Sequence, residues 1–339
     1  MEFVSGEILT IDGFQKGYIS FEENKIITKE KGTCPKKPVA KGLIIPTFVN
    51  AHTHIGDSFI KKKHAKLKLP RNIEKLVGPP NGLKHKLLSR TSNEEIVNGM
   101  IDSIHEMKKS GVSIFCDFRE GGINGLNLLN LALKNQNISP IIFSRPNNLK
   151  YISKEINDLL NYSNGIGLSS ISDWEYPEIV KIAKHVKKKN KMFGLHASER
   201  VREDIDIILD LKPDFLVHMI KATESDFIKV KENNMPVIIC PRSNFFFGIQ
   251  PNYKLMKKTD TTFLIGTDNA MLNNSSILDE IFFIKQKTNL FSMHELLHTS
   301  TYIARKALNQ ECGILGSNSK VDFVVLDKKT FKPLFILNK

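Results

Sequence analysis

Two textures of hydrophobic patterning follow one another along the chain. Residues 1 to about 41 read as short strands broken by turns: Glu7–Ile11, Tyr18–Phe21 and Ile26–Thr28, with Asp12-Gly13 and Glu22–Asn24 between them. From Gly42 onward, apolar runs of strand length alternate with segments of helical spacing. The first run is Gly42–Val49. It is followed by Val112–Asp117, Pro140–Ser144, Gly165–Ser169, Met192–Leu195, Phe215–His218, Pro236–Cys240 and Thr262–Gly266, eight in all. Between them Ile96, Met100, Ile104 and Met107, and again Ile179, Ile182, Ala183 and Val186, recur at three- and four-residue intervals. That spacing places them on one helix face. After about Leu308, strand character returns at Val321–Leu326 and Leu334–Leu337.

Eight buried strands alternating with helices predict an α/β chain whose residues 42–307 form a (β/α)8 TIM barrel. A doubly wound open sheet fits the same pattern, and spacing alone does not separate the two. The β-rich beginning and end, residues 1–41 plus 308–339, predict a small composite β-sandwich domain made from both termini.

Composition narrows the function classes. Hydrophobic residues make up 41% of the 339 positions, ample for a large core, so intrinsic disorder is excluded as the main state. No stretch approaches the ~18 apolar residues of a membrane span, and the N-terminus lacks the basic start and apolar run of a signal peptide. The cysteines, Cys34, Cys116, Cys240 and Cys312, lie far apart without a CxxC. This usage argues for a reduced, cytoplasmic protein and against a cysteine-based zinc site. Lys and Arg number 49 against 36 Asp and Glu, a net charge of +13. A basic surface can attract nucleic acid. Here the lysines are spread over the whole length, and the runs Lys61–Lys63 and Lys187–Lys189 are too short to form a tail. A nucleic-acid-binding protein without catalysis is therefore the rival reading from another class, and no recognised nucleic-acid motif supports it.

Candidate chemistry sits at strand ends. The first run leads into Asn50-Ala51-His52-Thr53-His54, and residues i and i+2 of an extended chain point the same way. His196 ends the fifth strand, His218 the sixth, and Asp268 follows the eighth. In a barrel these ends converge on one mouth. Singly, each residue has an ordinary explanation as a hydrogen-bonded or capping side chain. Together, three histidines and a carboxylate can hold a divalent metal and leave room for a water.

The segments Asn50-Ala51-His52-Thr53-His54, His196-Ala197-Ser198-Glu199, His218 and Gly266-Thr267-Asp268-Asn269 resemble the amidohydrolase superfamily. The likeness is to the branch that holds cytosine deaminase, adenosine-type deaminases and triazine chlorohydrolases. It extends over nearly the whole chain, including Leu315-Gly316 and Val321–Leu326, which are similar to the family's closing strands. The resemblance implies that His52, His54 and His196 are metal ligands. It implies that Asp268 is the fourth ligand and the base for the attacking water, that His218 lies beside that water, and that Glu199 shuttles protons. The implied activity is hydrolytic deamination of an aminated purine, pyrimidine or pterin. Cyclic-amide hydrolysis and dechlorination on the same scaffold are the alternatives. Two-metal members carry a bridging lysine at the end of the fourth strand. The stretch Gly165–Asp173 has none, which implies one divalent ion, zinc or iron.

The chemistry is consistent with that division of labour. A metal lowers the pKa of water to roughly 7. Attack on an amidine carbon builds charge on the adjacent ring nitrogen, so an acid protonated near neutrality is needed, a state that burial favours for a carboxyl. Unrelated zinc deaminases use a non-ligand Glu in this way. A competing motif, His294-Glu295-Leu296-Leu297-His298, matches the HExxH pattern of metalloproteases. No third ligand follows at the required spacing, and Glu295–Leu308 reads as one continuous helix.

Arginines near the ends of the second, third and seventh strands, Arg119, Arg145 and Arg242, suggest a small-molecule substrate with an anionic group. Glu120, Ser169 and Asn244 stand beside them as further substrate-binding candidates. The competing expectation pairs each arginine with a nearby acid, for instance Arg119 with Asp117 or Glu120. The segment Ile55–Thr91 is basic, contains Gly78-Pro79-Pro80-Asn81-Gly82, and reads as a mobile lid. Within it, Asp57 and Ser58 lie close enough to His54 to touch substrate. Self-association into a homo-oligomer is left open by the sequence.

Overall fold

The computed structural model describes residues 1–63, 68–311, 313 and 315–338. Cys312 lies outside the described residues; Cys34, Cys116 and Cys240 are free thiols. No helix among the described residues is long and apolar enough to cross a membrane.

The chain opens with strands β1 (Glu2–Thr10), β2 (Gly13–Glu22), β3 (Lys25–Lys31) and β4 (Ala40–Pro46). Next come β5 (Phe48–His54), β6 (Val112–Arg119), β7 (Ser139–Ser144), β8 (Gly165–Leu168) and β9 (Met192–Ala197). They are followed by β10 (Phe215–His218), β11 (Val237–Ile239), β12 (Phe263–Ile265) and β13 (Asp268–Asn269). The last two are β14 (Asp322–Leu326) and β15 (Pro333–Asn338).

The terminal strands make one mixed sheet in the order β15-β14-β4-β1-β2-β3. This sheet curls until its β3 side meets the approach to β14: Ile26 N–H donates to Ser319 O at 2.9 Å and Val321 N–H to Asn24 O at 3.0 Å. Val4, Ile19, Phe21, Ile44, Phe323 and Val325 are enclosed by the curl. The expected sandwich is thus corrected, among the described residues, to a single sheet whose apolar face folds onto itself. The run Gly42–Val49 is corrected as well. Its first part belongs to β4 in the terminal sheet and only Phe48 and Val49 begin β5, with Thr47 at the joint. Both parts are buried, so the apolar run conceals the change of sheet.

The other sheet has nine strands in the order β12-β11-β10-β9-β8-β7-β6-β5-β13, with parallel pairing throughout. β12 and β13 stand at opposite ends of this order but are separated in the chain only by Gly266 and Thr267. Gly266 N–H donates to Ile239 O at 2.9 Å, and Thr267 N–H to His52 O at 3.0 Å. A Cβ at Gly266 would lie 2.7 Å from that of His52, so only glycine allows the closest approach here. Phe118, Phe143 and Phe215 pack inside the curl. Helices cover the outside. Ile96, Met100, Ile104 and Met107 of helix Asn93–Lys109 are buried as their spacing predicts, as are Ile179, Ile182, Ala183 and Val186 of helix Tyr176–Lys188. The eight expected runs all form strands, with β5 displaced toward the histidines.

Candidate metal centre and catalytic site

Parallel pairing lays the C-terminal ends of the strands side by side, and the polar side chains gather there. His52 and His54 lie at the end of β5, His196 on β9, His218 at the end of β10 and Asp268 at the start of β13, all buried. The backbone at these ends is unusual: Ser198, His218, Met219 and Asp268 have φ of 48°, 78°, 53° and 57°. Such left-handed conformations cost a non-glycine residue on the order of 1–3 kcal/mol and cluster at functional sites.

The donor atoms converge. His52 Nε2 lies 3.3 Å from His196 Nε2 and 3.4 Å from Asp268 Oδ1; His54 Nε2 lies 3.5 Å from the same Oδ1. Donors placed tetrahedrally around zinc at roughly 2.0–2.1 Å stand about 3.4 Å apart, so these separations fit one ion. The second ring nitrogens support this. His196 Nδ1–H donates to Leu168 O at 2.7 Å, which turns its Nε2 lone pair inward, and His54 Nδ1 lies 2.9 Å from Glu120 Oε1. Burial holds the imidazoles neutral: it lowers His52 and His218, drives His196 well down, and takes His54 to about 3. A neutral imidazole is the ligating form. Burial alone would raise the Asp268 carboxyl, but the surrounding imidazoles hold it well below the usual range. Two overlapping groups are close enough to hold a divalent metal: His52, His54 and Asp268, and His52, His196 and His218.

Glu199 leaves β9 on a loop fixed by Ser198 and Glu203, where Ser198 N–H donates to Glu203 Oε2 and Glu203 N–H to Ser198 Oγ. Its Oε1 lies 3.5 Å from His218 Nε2. Burial, reinforced by the charge of Asp268, pushes its carboxyl up to about 8, so it carries a proton at neutral pH. Asn244 joins the pair: its Nδ2 is 3.5 Å from Glu199 Oε1 and 3.3 Å from His218 Nδ1. Ser243 Oγ–H donates to Asp268 Oδ2 at 2.5 Å. Glu199, His218, Asp268, Ser169, Lys84 and Arg145 line one cavity above the donors.

The expected substrate-binding residues divide. Arg119 shows the acid pairing named as the competing expectation, with Asp117 at 3.3 Å and Glu120 at 2.8 Å. Arg242 is likewise paired, donating to Glu280 Oε1 at 2.7 Å and to Asn274 Oδ1 and O. Asp57 is buried, with Oδ1 accepting from Met271 N–H and Oδ2 3.7 Å from Lys84 Nζ. Ser58 bonds Ser103 on helix Asn93–Lys109. Glu120 is drawn into contacts with His54, Arg119 and Lys84. Asn244 touches the two candidate catalytic side chains. Ser169 lines the cavity while accepting from Trp174 Nε1–H. Arg145 alone among the three arginines keeps its guanidinium available: it is 12% exposed, lines the cavity, and its closest acidic oxygen is Glu120 Oε1 at 3.8 Å.

Lys84 was missed by the sequence reading. Its helix, Leu83–Leu88, follows a proline-containing turn in a lysine-rich stretch, where solvated lysines are the rule. The available signal was local: Lys84 stands between Leu83 and the apolar pair Leu87-Leu88 in a segment already expected to cover the mouth.

The family model for amidohydrolases matches residues 43–339, and the chain belongs to the amidohydrolase family. An uncharacterized protein of Methanocaldococcus jannaschii is 37% identical over 319 residues, covering 88% of this chain and 82% of its own length. The 5-methylthioadenosine/S-adenosylhomocysteine deaminase of Caldicellulosiruptor saccharolyticus is 25% identical, covering 81% and 70%. Among solved structures, an adenosine deaminase from Xanthomonas campestris with bound zinc superposes with a TM-score of 0.75 at 15% identity, covering 99% of this chain and 87% of that one.

Proposed function

We propose that the protein is a hydrolytic deaminase of an aminated heterocycle, of purine, pyrimidine or pterin type, with one divalent metal ion, zinc or iron, held by His52, His54, His196 and Asp268. The observation that carries this reading is the contact of Glu199 Oε1 with His218 Nε2, 3.5 Å apart in the cavity directly above that donor set, where burial favours the protonated carboxyl. The family's hydrolases act on C–N bonds, and the curated relatives include deaminases.

A divalent metal bound there supplies the Lewis acidity that makes water nucleophilic near neutral pH. Asp268 accepts the proton that the attacking water gives up, and Ser243 keeps its other oxygen in place. Glu199 donates its proton to the ring nitrogen next to the reacting carbon as the C–O bond forms. His218 donates toward the oxygen of the water, where negative charge develops. Glu199, now ionised, takes the proton of the new hydroxyl and passes it to the exocyclic amine. The C–N bond breaks, ammonia leaves a carbonyl whose ring nitrogen keeps its proton, and the proton held by Asp268 restores Glu199. Asn244 holds Glu199 and His218 in register. Arg145 is the side chain suited to an anionic or electron-rich substituent of the substrate.

The same reading takes the curled parallel sheet as a (β/α)8 barrel with this centre at its mouth, and the terminal strands as a composite domain beside it. The cysteine usage supports a cytoplasmic setting. The test is an ammonia-release screen of aminated purines, pyrimidines and pterins with zinc- or iron-reconstituted protein. Release of chloride from a chlorinated ring, or ring opening without ammonia, would replace deamination by the neighbouring chemistry.

A further inference from the structure

Three short helices follow β5: Phe59–Lys63, which lies against helix Asn93–Lys109, and Ile73–Val77 and Leu83–Leu88, whose Ile73, Val77 and Lys84 line the cavity at the mouth. Lys61 and Lys62 behave as surface residues and pair with Glu106 and Asp102. Lys84 is only 2% exposed. Lysine is almost never buried to this degree unless paired, and this ammonium is paired on the strand ends themselves. It lies 2.6 Å from Glu120 Oε1, 3.1 Å from Asn269 Oδ1 and 3.7 Å from Asp57 Oδ2.

Two of those partners lead directly to the metal donors. Glu120 Oε1, the oxygen that meets Lys84, also lies 2.9 Å from His54 Nδ1. Asn269 follows Asp268 in β13, which pairs with β5 at His54. Beneath them is a fixed frame. Arg119 holds Glu120 Oε2 and Asp117, Asp117 accepts from Ile55 N–H at 2.8 Å, and a Cβ on Gly56 would run into the Arg119 guanidinium. Lys84 is the member of this network contributed by the covering helices.

We propose that Lys84 is a positioning residue that fixes His54 through Glu120 and the Asp268 strand through Asn269, so that seating the covering segment and organising the metal centre are one event. The inference rests on reading the mouth as a metal centre. Its physical basis is the cost of burying an ammonium, which is offset only when charged and polar partners are in place. Lys84 therefore enters only over an organised mouth, and once there its ion pair keeps Glu120 turned toward His54 while its charge-assisted hydrogen bond goes to Asn269. Thermodynamic reciprocity follows: an ion that favours the organised mouth favours the seated segment by the same factor.

The experiment uses the full chain with Lys84→Met, Lys84→Gln and Lys84→Arg. Zinc affinity is measured by competition with a chelator. Hydrogen exchange of residues 73–91 is followed in zinc-free and zinc-loaded protein. In the wild type, zinc should slow exchange in this segment. Lys84→Met and Lys84→Gln should bind zinc about 10–100-fold more weakly, the usual effect of losing an outer partner of a metal ligand, and should lose the zinc-dependent protection. Lys84→Arg, which keeps the charge, should recover part of both. Lys84→Gln stands in if Lys84→Met does not fold. Variants that open the segment yet bind zinc with wild-type affinity would overturn the proposal and leave Lys84 as a simple anchor of the lid. Wild-type protein that binds zinc without protecting residues 73–91 would overturn it equally. A wild type that binds no zinc overturns the metal reading as well, and its own titration distinguishes that failure from the other two.

Discussion

His52 and His54 stand two residues apart at the end of β5; His294 and His298 stand four apart on helix Met293–His298. Either spacing aims two imidazoles in one direction, and the helical pair carries the better-known motif. At the helix, His294 Nε2–H donates to Thr10 O at 3.0 Å, Glu295 is given to Lys257 and to the cap at Ser292, and the two rings stack 5.8 Å apart. No distant element delivers a third donor among the described residues. At the strand end, β9, β10 and β13 bring in His196, His218 and Asp268, and backbone or carboxylate acceptors face the outer nitrogens of His196 and His54. The difference teaches that local spacing nominates a pair of ligands, while long-range strand order and fixed ring orientation make a centre.

The sharpest way to break this comparison is to remove one histidine from each pair. His54→Ala should reduce bound metal at least ~10-fold by elemental analysis, whereas His294→Ala and His298→Ala, alone or together, should leave it unchanged. Metal lost from the helical variants and kept in His54→Ala would reverse the assignment. Next in size is Glu199→Gln. It should keep the metal and lose ~10²–10⁴-fold in kcat, the range expected for a general acid–base group; a fully active variant would require another acid.

Much of this was legible beforehand, and the reasons for the rest are physical. Each candidate donor falls where a strand of apolar residues ends, so the apolar runs placed His52, His54, His196, His218 and Asp268 at strand ends, while their separate roles were implied by the family resemblance. The strand order that joins them was inferred from alternation and is carried by Gly266 and Thr267, whose role appears only when β12 and β13 meet β5. The pairing of Arg119 with Asp117 and Glu120 was one of two readings the sequence left open. The partner of Arg242 was not legible, because a strand-end arginine looks the same whether it faces substrate or an acid such as Glu280, 38 positions along the chain. The buried position of Lys84 was hidden for the opposite reason, in a stretch whose composition reads as solvated.

The pH profile sharpens the contrast between the two carboxyls at the mouth. Glu199 is raised to about 8 and must be protonated to act, so kcat/KM should fall as pH rises through about 8. Asp268 is held well below its usual value and stays ionised throughout the neutral range. A profile flat to pH 10 would detach Glu199 from catalysis. The smallest expected effect separates the arginines. Arg145→Ala should raise KM by roughly 10-fold, about 1.4 kcal/mol of lost binding, with kcat little changed. Arg242→Ala should instead lower the unfolding temperature, because it leaves Glu280 buried without its partner. Equal effects of the two variants on KM would restore Arg242 to the substrate side.

The central claim is that a proton held on Glu199 above a metal centre drives hydrolytic deamination. It is tested most directly by assaying ammonia and carbonyl product from a panel of aminated purines, pyrimidines and pterins, with metal-loaded wild type and metal-loaded Glu199→Gln run in parallel. The account predicts equimolar ammonia and carbonyl product from at least one heterocycle with the wild type, and almost none with Glu199→Gln at equal metal content. Equal ammonia release by both proteins, or none from any heterocycle by fully loaded wild type, would contradict it.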